Sequence, residues 1–327
     1  GASVRRACAV VSGAVLLLLS ALPGRAADVP PAIIVHAGKA DSLNHALALQ
    51  FAEALAQGNN ALTVQVEESQ GSVQNIVDAL HRGGHYVFTT PPNLIVQAKR
   101  GDKPFAKNAR YRTIRALFPI PALTVHWAVR ADSGLKRLPE LAGKSLVPGS
   151  KGSFGERQTV SALHALGLDQ RVQLIDIDPA GAQSALAGRQ VAGVALAGTV
   201  PLPAVRDLAK AVPVRLLSLT RAELARVLAA DDSTVAETIP KGTYPGQDED
   251  VTSIALPAGV YATTAMSDKM AYAITKAFWS QKWALGQRNP PWNSASPASL
   301  AQLGIKLHRG AERYYKEAGI KVPATLR

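Results

Sequence analysis

Cysteine is almost absent from this sequence: Cys8 is the only one in 327 residues, and it lies in an apolar N-terminal segment. A single cysteine cannot form an internal disulfide bond. Because its segment has the pattern of a removable leader, we predict that the folded chain contains no cysteine at all. The absence excludes both a disulfide-stabilised scaffold and thiolate chemistry.

Acidic residues are also scarce, 24 against 36 lysines and arginines, which gives a formal net charge of +12. A basic chain could bind nucleic acid, but the basic residues are dispersed and no RNP, zinc-finger or basic-helix pattern occurs. We therefore expect no nucleic-acid partner. The charge is better explained by solubility and by steering of anionic solutes.

The N-terminal segment has the pattern of a secretory signal peptide. Arg5 and Arg6 precede the apolar run "ACAVVSGAVLLLLSALP", and small residues follow it. Cleavage after Ala26 is favoured because cleavage after Ala27 would put Arg25 at the −3 position. The run is shorter than the roughly 20 apolar residues of a membrane-spanning helix. We predict that residues 1–26 are a signal peptide and that the protein is exported.

Strand-like and helix-like segments alternate along the rest of the chain with short connections, which predicts an α/β fold with mainly parallel strands. A chain of this length favours two lobes, and no linker separates them. We expect Ser42 to cap the first helix and Ser72 the second. Two separate strands are predicted at 111–120 and 123–130.

Three turns between a strand and a helix carry small polar residues: 36–42, 70–75 and 148–156. Parallel α/β sheets bind ligands at such turns, where free helix N–H groups favour anions. The alternative is that Ser72 and Ser153 are ordinary helix caps. A helix terminus gives only about 0.3–1 kcal/mol to an exposed anion, so two closing lobes would have to supply most of the binding energy.

Enzymatic motifs are missing from the sequence. "GSKGSFG" lacks the Gly-Lys-Ser/Thr ending of a phosphate-binding loop, and no G-x-S-x-G elbow occurs. His81 and His85 are separated by two glycines, and "QDED" lacks the spacing of a calcium loop. We expect no catalytic residue, no metal site and no cofactor, although a secreted enzyme with a similar cleft stays an alternative.

Five segments carry a resemblance to a known family. In chain order they are "GSVQN", "VRADSGLKRLPELAGKSL", "GTVPLPAVRDLA", "IPKGTYPGQDEDV" and "LHRGAERYYKEAG". Together they resemble the TAXI family of solute receptors for TRAP transporters, over residues 33 to about 320. The most specific parts of the resemblance are "GTYPGQDEDV" and "GAERYYKEAG".

The resemblance implies a two-lobed periplasmic-binding-protein fold of the second type, with a mainly parallel sheet in each lobe and a two-stranded crossing between them. Lobe one would be residues 27–121 with 251–327, and lobe two 122–250. Such receptors are periplasmic and capture a small organic anion, such as glutamate or another dicarboxylate, for a TRAP-type membrane permease. We expect a monomer; a sensor module or the receptor of an ATP-driven importer are the alternatives.

The resemblance also implies a set of ligand-binding residues. Hydroxyl and amide groups would bind carboxylate oxygens, two main-chain N–H groups would add donors, and Tyr244 would close over the solute. The first turn departs from the family, since it lacks the usual glycine run and aromatic pair and has Lys39 instead. The full set is His36, Gly38, Lys39, Ser42, Gly71, Ser72, Val73, Asn75, Thr89, Thr90, Ser153, Phe154, Gly155 and Tyr244.

Overall fold

Residues 32–327 are described by the structure, a computed structural model. The predicted signal peptide, residues 1–26, lies outside the described residues. No helix within the described range combines the length and apolar character needed to span a bilayer.

Strands account for ten segments of the described chain. In order they are β1 (Ile33–His36), β2 (Val64–Glu67), β3 (Tyr86–Thr90), β4 (Ile114–Arg130), β5 (Ser145–Val147), β6 (Gln173–Leu174), β7 (Gly193–Gly198), β8 (Val214–Leu216), β9 (Val235–Ile239) and β10 (Val251–Thr263).

Helices alternate with these strands. In the same part of the chain they are α1 (Leu43–Gly58), α2 (Ser72–Asp78), α3 (Pro92–Arg100), α4 (Phe154–Ala165), α5 (Pro179–Ala187), α6 (Pro203–Ala211), α7 (Arg221–Ala230), α8 (Asp268–Arg288) and α9 (Arg309–Glu317). Short 3₁₀ turns connect several of them, the longest at Pro297–Leu303.

All ten strands belong to one hydrogen-bonded sheet, in the order β2-β1-β3-β10-β4-β7-β5-β6, with β8 on β4 and β9 on β10. The outer strands pair in parallel, β1 with β2 and β3, and β5 with β6 and β7. The two long central strands, β4 and β10, pair antiparallel with each other and with their other neighbours. The sheet is therefore mixed, and the predicted parallel pairing holds for its two outer groups.

Strand β4 is one continuous strand of 17 residues, so the prediction of two separate strands was wrong. The strand contains two prolines, Pro119 and Pro121, and proline cannot donate to a strand ladder. The pairing of β4 with β10 shifts register between Leu256 and Ala258, where the chain passes Pro121. Such a bulge absorbs the missing donor while the strand runs on.

The hydrophobic core is divided into three clusters. The first draws on residues 33–120 and 260–326, and it includes Phe118 and Phe278, whose rings stack with centroids 4.0 Å apart. The other two draw on residues 125–254 and include Trp127 and Tyr244 respectively. Strands β4 and β10 contribute side chains both to the first cluster and to the other two. The lobe boundaries themselves stay a prediction.

Helix starts follow local sequence in most places. Ser42 caps α1 as predicted, since its hydroxyl accepts a hydrogen bond from the His45 N–H at 3.1 Å. Helix α2 differs from the prediction: Gly71 is its N-cap and Ser72 is already the first helical residue. Gly71 has φ of +115°, a conformation that side chains disfavour, so the glycine rather than the serine sets this start.

Candidate ligand-binding site

The turns that follow β1, β2 and β3 meet at the carboxyl ends of these strands, next to the first core cluster. The Ser69 N–H donates to the Gly38 carbonyl at 3.0 Å, which joins the second turn to the first. The fully buried Asn75 amide donates to the carbonyls of Ala37, at 2.8 Å, and Thr89, at 3.0 Å. The structure thus brings together the predicted turns at 36–42 and 70–75 and the end of β3.

Two buried oxygens at this junction have no hydrogen-bond partner among the described residues: Oδ1 of Asn75 and Oγ1 of Thr89. The neighbouring Thr90 hydroxyl donates to the Pro91 carbonyl at 2.9 Å. A buried polar atom without a partner costs roughly 1–3 kcal/mol. A bound water or solute would relieve this cost at both atoms.

His36 lies at the end of β1 but turns toward α2. It is 5% exposed, with Nε2 3.0 Å from a Glu67 oxygen and Nδ1 3.4 Å from an Asp78 oxygen. The Arg82 guanidinium lies 3.5 Å from Nε2 and 5.5 Å from the centre of the Tyr86 ring. These groups hold the imidazole within its own half of the protein, and its contact with a solute stays a prediction.

The rest of the first turn is exposed at its tip. Lys39 is exposed, and its carbonyl accepts from the Ser42 hydroxyl at 2.7 Å. The Ala40 N–H donates to the Glu68 carboxylate at 2.8 Å. One N–H donor of this predicted anion-binding turn is therefore already used by a carboxylate of the protein.

The second turn presents only a short helix. Helix α2 has seven residues, and its cap residue Gly71 donates its N–H to the Ser69 hydroxyl at 3.2 Å. Ser72 is half-buried, and the neighbouring Val73 is 36% exposed. Among the described residues the Ser72 hydroxyl has no hydrogen bond that assigns it a structural role, and the apolar Val73 side chain borders the turn.

The third turn joins β5 to α4, and Ser153 caps the helix. Its hydroxyl accepts from the Glu156 N–H at 3.2 Å, which confirms the helix-cap interpretation of this serine. The Glu156 carboxylate in turn accepts from the Gly152 N–H at 3.0 Å. Gly155 is buried close to β7, since a Cβ there would lie 3.1 Å from the Ala197 Cβ.

A pocket of about 230 Å³ lies behind this turn. Its polar side chains are Ser150 and Ser153, and none of the described residues that line it is charged. Phe154, Gly155 and Ala197 also border it. Its apolar wall comes from Leu123, Val147, Ile177, Ala182, Val194 and Leu196.

The pocket and the first group of turns lie along the same stretch of the central strands. Thr90, at the end of β3, pairs with Gly259 of β10, which pairs on its other side with Pro119 of β4. Leu123, which lines the pocket, follows Pro119 by four residues, or about 13 Å of strand.

Tyr244 does not line this pocket. It is 3% exposed, and its hydroxyl accepts from the Leu202 N–H at 2.8 Å and lies 2.7 Å from His126 Nε2. Burial raises the pKa of Tyr244 to about 12 and lowers the pKa of His126 to about 4. In this structure its contacts are those of a core residue, and closure over a solute stays a prediction.

The acidic turn after Tyr244 is held by its own hydrogen bonds. The Lys241 N–H donates to the Asp250 carboxylate at 2.8 Å, and the Gln247 amide donates to the carbonyls of Ile239 and Glu249. Strand β10 begins directly after it at Val251. Residues 32–327 contain no group of three or more side chains placed to ligate a metal.

Sequence reasoning missed most of the pocket wall. Leu196 and Ala197 lie near the end of strand β7, and Ile177 and Ala182 belong to the turn and helix after β6. These positions also lie at carboxyl ends of parallel-paired strands, so the rule that found the other turns could have found them. They were passed over because they carry no polar side chain.

Comparison with known proteins gives a family and a fold. A profile of the NMT1-like family matches residues 43–319, well over half of the chain. The chain is similar to a TctC solute-binding protein from Polaromonas, with a TM-score of 0.58 at 13% identity, over 88% of this chain and 98% of that one. This likeness shows the fold alone: the α/β fold of periplasmic binding proteins, as expected.

Two further structures are similar at lower scores. MatC from Rhodopseudomonas palustris with bound malate has a TM-score of 0.46 at 14% identity, over 87% of this chain and 98% of that one. The L-cystine solute receptor of Neisseria gonorrhoeae in an unliganded open conformation has a TM-score of 0.47 at 13% identity, over 81% and 95%.

Proposed function

Because this chain belongs to the NMT1-like family, and because its fold is that of solute-binding proteins, we propose that it is a periplasmic solute receptor. It captures a small organic anion between two lobes and acts without catalysis. Lobe one comprises residues 27–121 and 251–327, and lobe two comprises 122–250.

One observation carries this proposal: turns from two separately cored halves meet the same stretch of the central strands. The junction at Asn75 belongs to one half, and the pocket behind Ser153 belongs to the other. Strands β4 and β10 run through both halves, so bending there would open and close the space between the turns. A ligand enclosed from both sides would lose contact with water, which strengthens every polar contact it makes.

The charge of the protein supports an anionic solute. Removal of the predicted signal peptide takes away Arg5, Arg6 and Arg25 and leaves 33 basic against 24 acidic residues, a net charge of +9 that favours approach of anions. Lys39 is exposed at the first turn, and the first N–H groups of the 12-residue helix α4 open at the third. The TAXI resemblance suggests glutamate or another dicarboxylate as the first candidates, and a TRAP-type permease as the partner that receives the solute from a monomeric receptor.

Thermal unfolding with a panel of carboxylates tests the proposal. Glutamate, 2-oxoglutarate, malate, acetate and phenylacetate would be compared with glycerol and glucose. A ligand present at 100 times its Kd stabilises the folded state by about 2.7 kcal/mol, because it binds that state alone. For a chain of this size we expect a rise in Tm of roughly 4 °C.

Two further measurements separate the parts of the proposal. Small-angle scattering with a binding carboxylate should give a smaller radius of gyration, and no change would contradict closure of the lobes. The carboxylate should be recovered chemically unchanged, and turnover would contradict a receptor role. If no carboxylate raises the Tm at millimolar concentration, the anion assignment is wrong.

A further inference from the structure

The pocket behind Ser153 has the character of an apolar subsite. Its deep wall is formed by Val147, Ala182, Val194 and Ala195, each 2% exposed or less. Its volume is about 230 Å³. An engineered apolar cavity of about 150 Å³ in another protein stays dry and binds benzene, so this pocket has room for a six-membered ring.

If a solute with two carboxylates bound here, the carboxylate inside the pocket would find no partner. None of its described lining residues is a cation, and its hydroxyls belong to Ser150 and Ser153. The nearby Gly152 N–H already bonds the Glu156 carboxylate at 3.0 Å. An ionised group placed in apolar surroundings without a counter-ion is strongly disfavoured.

The pocket nevertheless opens toward polar groups. Ser150 and Ala197 are exposed, whereas the deep wall is buried, so the opening lies on the side of the exposed residues. The first helical N–H groups of α4, at Phe154 and Gly155, start at this opening. The geometry suits a molecule with one apolar end and one anionic end.

We propose that the solute carries an apolar group of about the size of a phenyl ring, which fills this pocket, and a single carboxylate at the opening. The inference rests on the proposed receptor function for a small organic anion, and within it favours monocarboxylates with a bulky apolar group over the dicarboxylates that the TAXI resemblance suggests. A dicarboxylate such as glutamate fits the pocket worse.

Four small probes test the subsite on the purified protein: acetate, phenylacetate, succinate and benzyl alcohol. Affinities come from calorimetry, and the position of binding comes from methyl NMR of labelled Ala, Val, Leu and Ile residues. We expect phenylacetate to bind about 100-fold more tightly than acetate, since each buried carbon group contributes severalfold. Phenylacetate and benzyl alcohol should both shift the methyl signals of Ala182 and Val194.

The outcomes separate this inference from the receptor function. Succinate binding as tightly as phenylacetate would overturn the apolar subsite while a receptor for organic anions stands. Benzyl alcohol binding in the pocket without phenylacetate would support the subsite and contradict the anionic part of the function. Binding of none of the four would overturn the subsite, and the anion receptor would fall with it if glutamate, 2-oxoglutarate and malate also do not bind.

A matched pair of variants tests whether the ligand binds in this pocket. Ala197→Asp adds a carboxylate at the pocket opening, and Ala236→Asp adds one at an exposed position of β9 outside it. Both alanines are exposed strand residues, so both variants should fold, which circular dichroism checks. We expect Ala197→Asp to weaken phenylacetate binding at least tenfold and Ala236→Asp to change it less than twofold. Equal affinity in the two variants would contradict the assignment.

Discussion

The hydroxyl of Tyr244 lies 2.7 Å from Nε2 of His126, although the two residues are 118 positions apart in the chain. Nδ1 of His126 lies 3.0 Å from the Thr124 carbonyl, so the ring donates there and accepts the tyrosine proton at Nε2. The same hydroxyl accepts from the Leu202 N–H at 2.8 Å. Tyr244 therefore joins the turn before β10 to β4 and to the start of α6.

Removing this hydroxyl should weaken the fold. In Tyr244→Phe, His126 Nε2 and the Leu202 N–H both lose their partner inside the core, which costs about 1–3 kcal/mol in the free energy of unfolding. Urea denaturation measures this change. Tyr272→Phe is the control, because the Tyr272 hydroxyl bonds the exposed Glu317 carboxylate and should matter little. Unchanged stability with weakened solute binding would instead assign Tyr244 to the ligand.

Acid should destabilise the protein through His126. Burial lowers its pKa from 6.5 to about 4, so between these values the unfolded chain binds a proton that the folded chain does not. The contribution of His126 to the free energy of unfolding is complete above about pH 6.5. It falls by about 2 kcal/mol as the pH drops to 5. The wild type and His126→Gln should therefore differ less in free energy of unfolding at pH 5 than at pH 7. Parallel pH curves would contradict this.

Much of the fold was predictable because its signals are local. The strand at 33–36, the Ser42 cap and the stop at Gly58 are set by residues close to them in the chain. The continuity of β4 through Pro119 and Pro121 was not predictable, since it depends on a register shift in β10, more than 100 residues later. Helix α7 and strand β9, which lack strong periodicity, were not assigned from the sequence either.

The candidate site was predictable only where a polar residue marks it. Ser153 and the turn at 36–42 were found by the small polar residues after a strand, and the structure places both at strand ends. The apolar wall that includes Ile177 and Leu196 carries no such mark. Tyr244 was expected at the ligand because the TAXI resemblance implies a ligand-facing turn there, yet its partners His126 and Leu202 are distant in sequence.

Asn75 should be essential for the arrangement of the first turns. Asn75→Ala removes the donors to the Ala37 and Thr89 carbonyls in a fully buried position, which should cost about 3 kcal/mol. Denaturant unfolding measures the loss, and calorimetry should show weaker solute binding at a temperature where the variant is folded. The exposed Gln74→Ala is the neighbouring control. Loss of binding with unchanged stability would show a direct contact rather than a positioning role.

Substitutions of the two turn serines should differ in their effect on the stability of the protein, but both serines should contribute to solute binding. Ser153→Ala removes a helix cap and should cost about 1 kcal/mol, whereas Ser72→Ala leaves the Gly71 cap intact and should cost almost nothing. We expect the double variant to bind the solute more weakly while it remains folded. Unchanged affinity would leave Ser153 as a cap alone and remove Ser72 from the site.

Gly310 should tolerate no side chain, because it lies where α9 crosses α8. A Cβ at this position would overlap the Asp268 carbonyl oxygen and lie 2.8 Å from the Tyr272 nitrogen, both of which are backbone atoms that cannot rotate away. Gly310→Ala should therefore destabilise the protein by about 1–3 kcal/mol through overpacking. At Gly83 a Cβ would meet no described atom within 4 Å, so Gly83→Ala should be neutral or slightly stabilising. Equal unfolding midpoints for the two variants would mean that the helices separate without cost, and the glycine of "GAERYYKEAG" would then need another explanation than close helix packing.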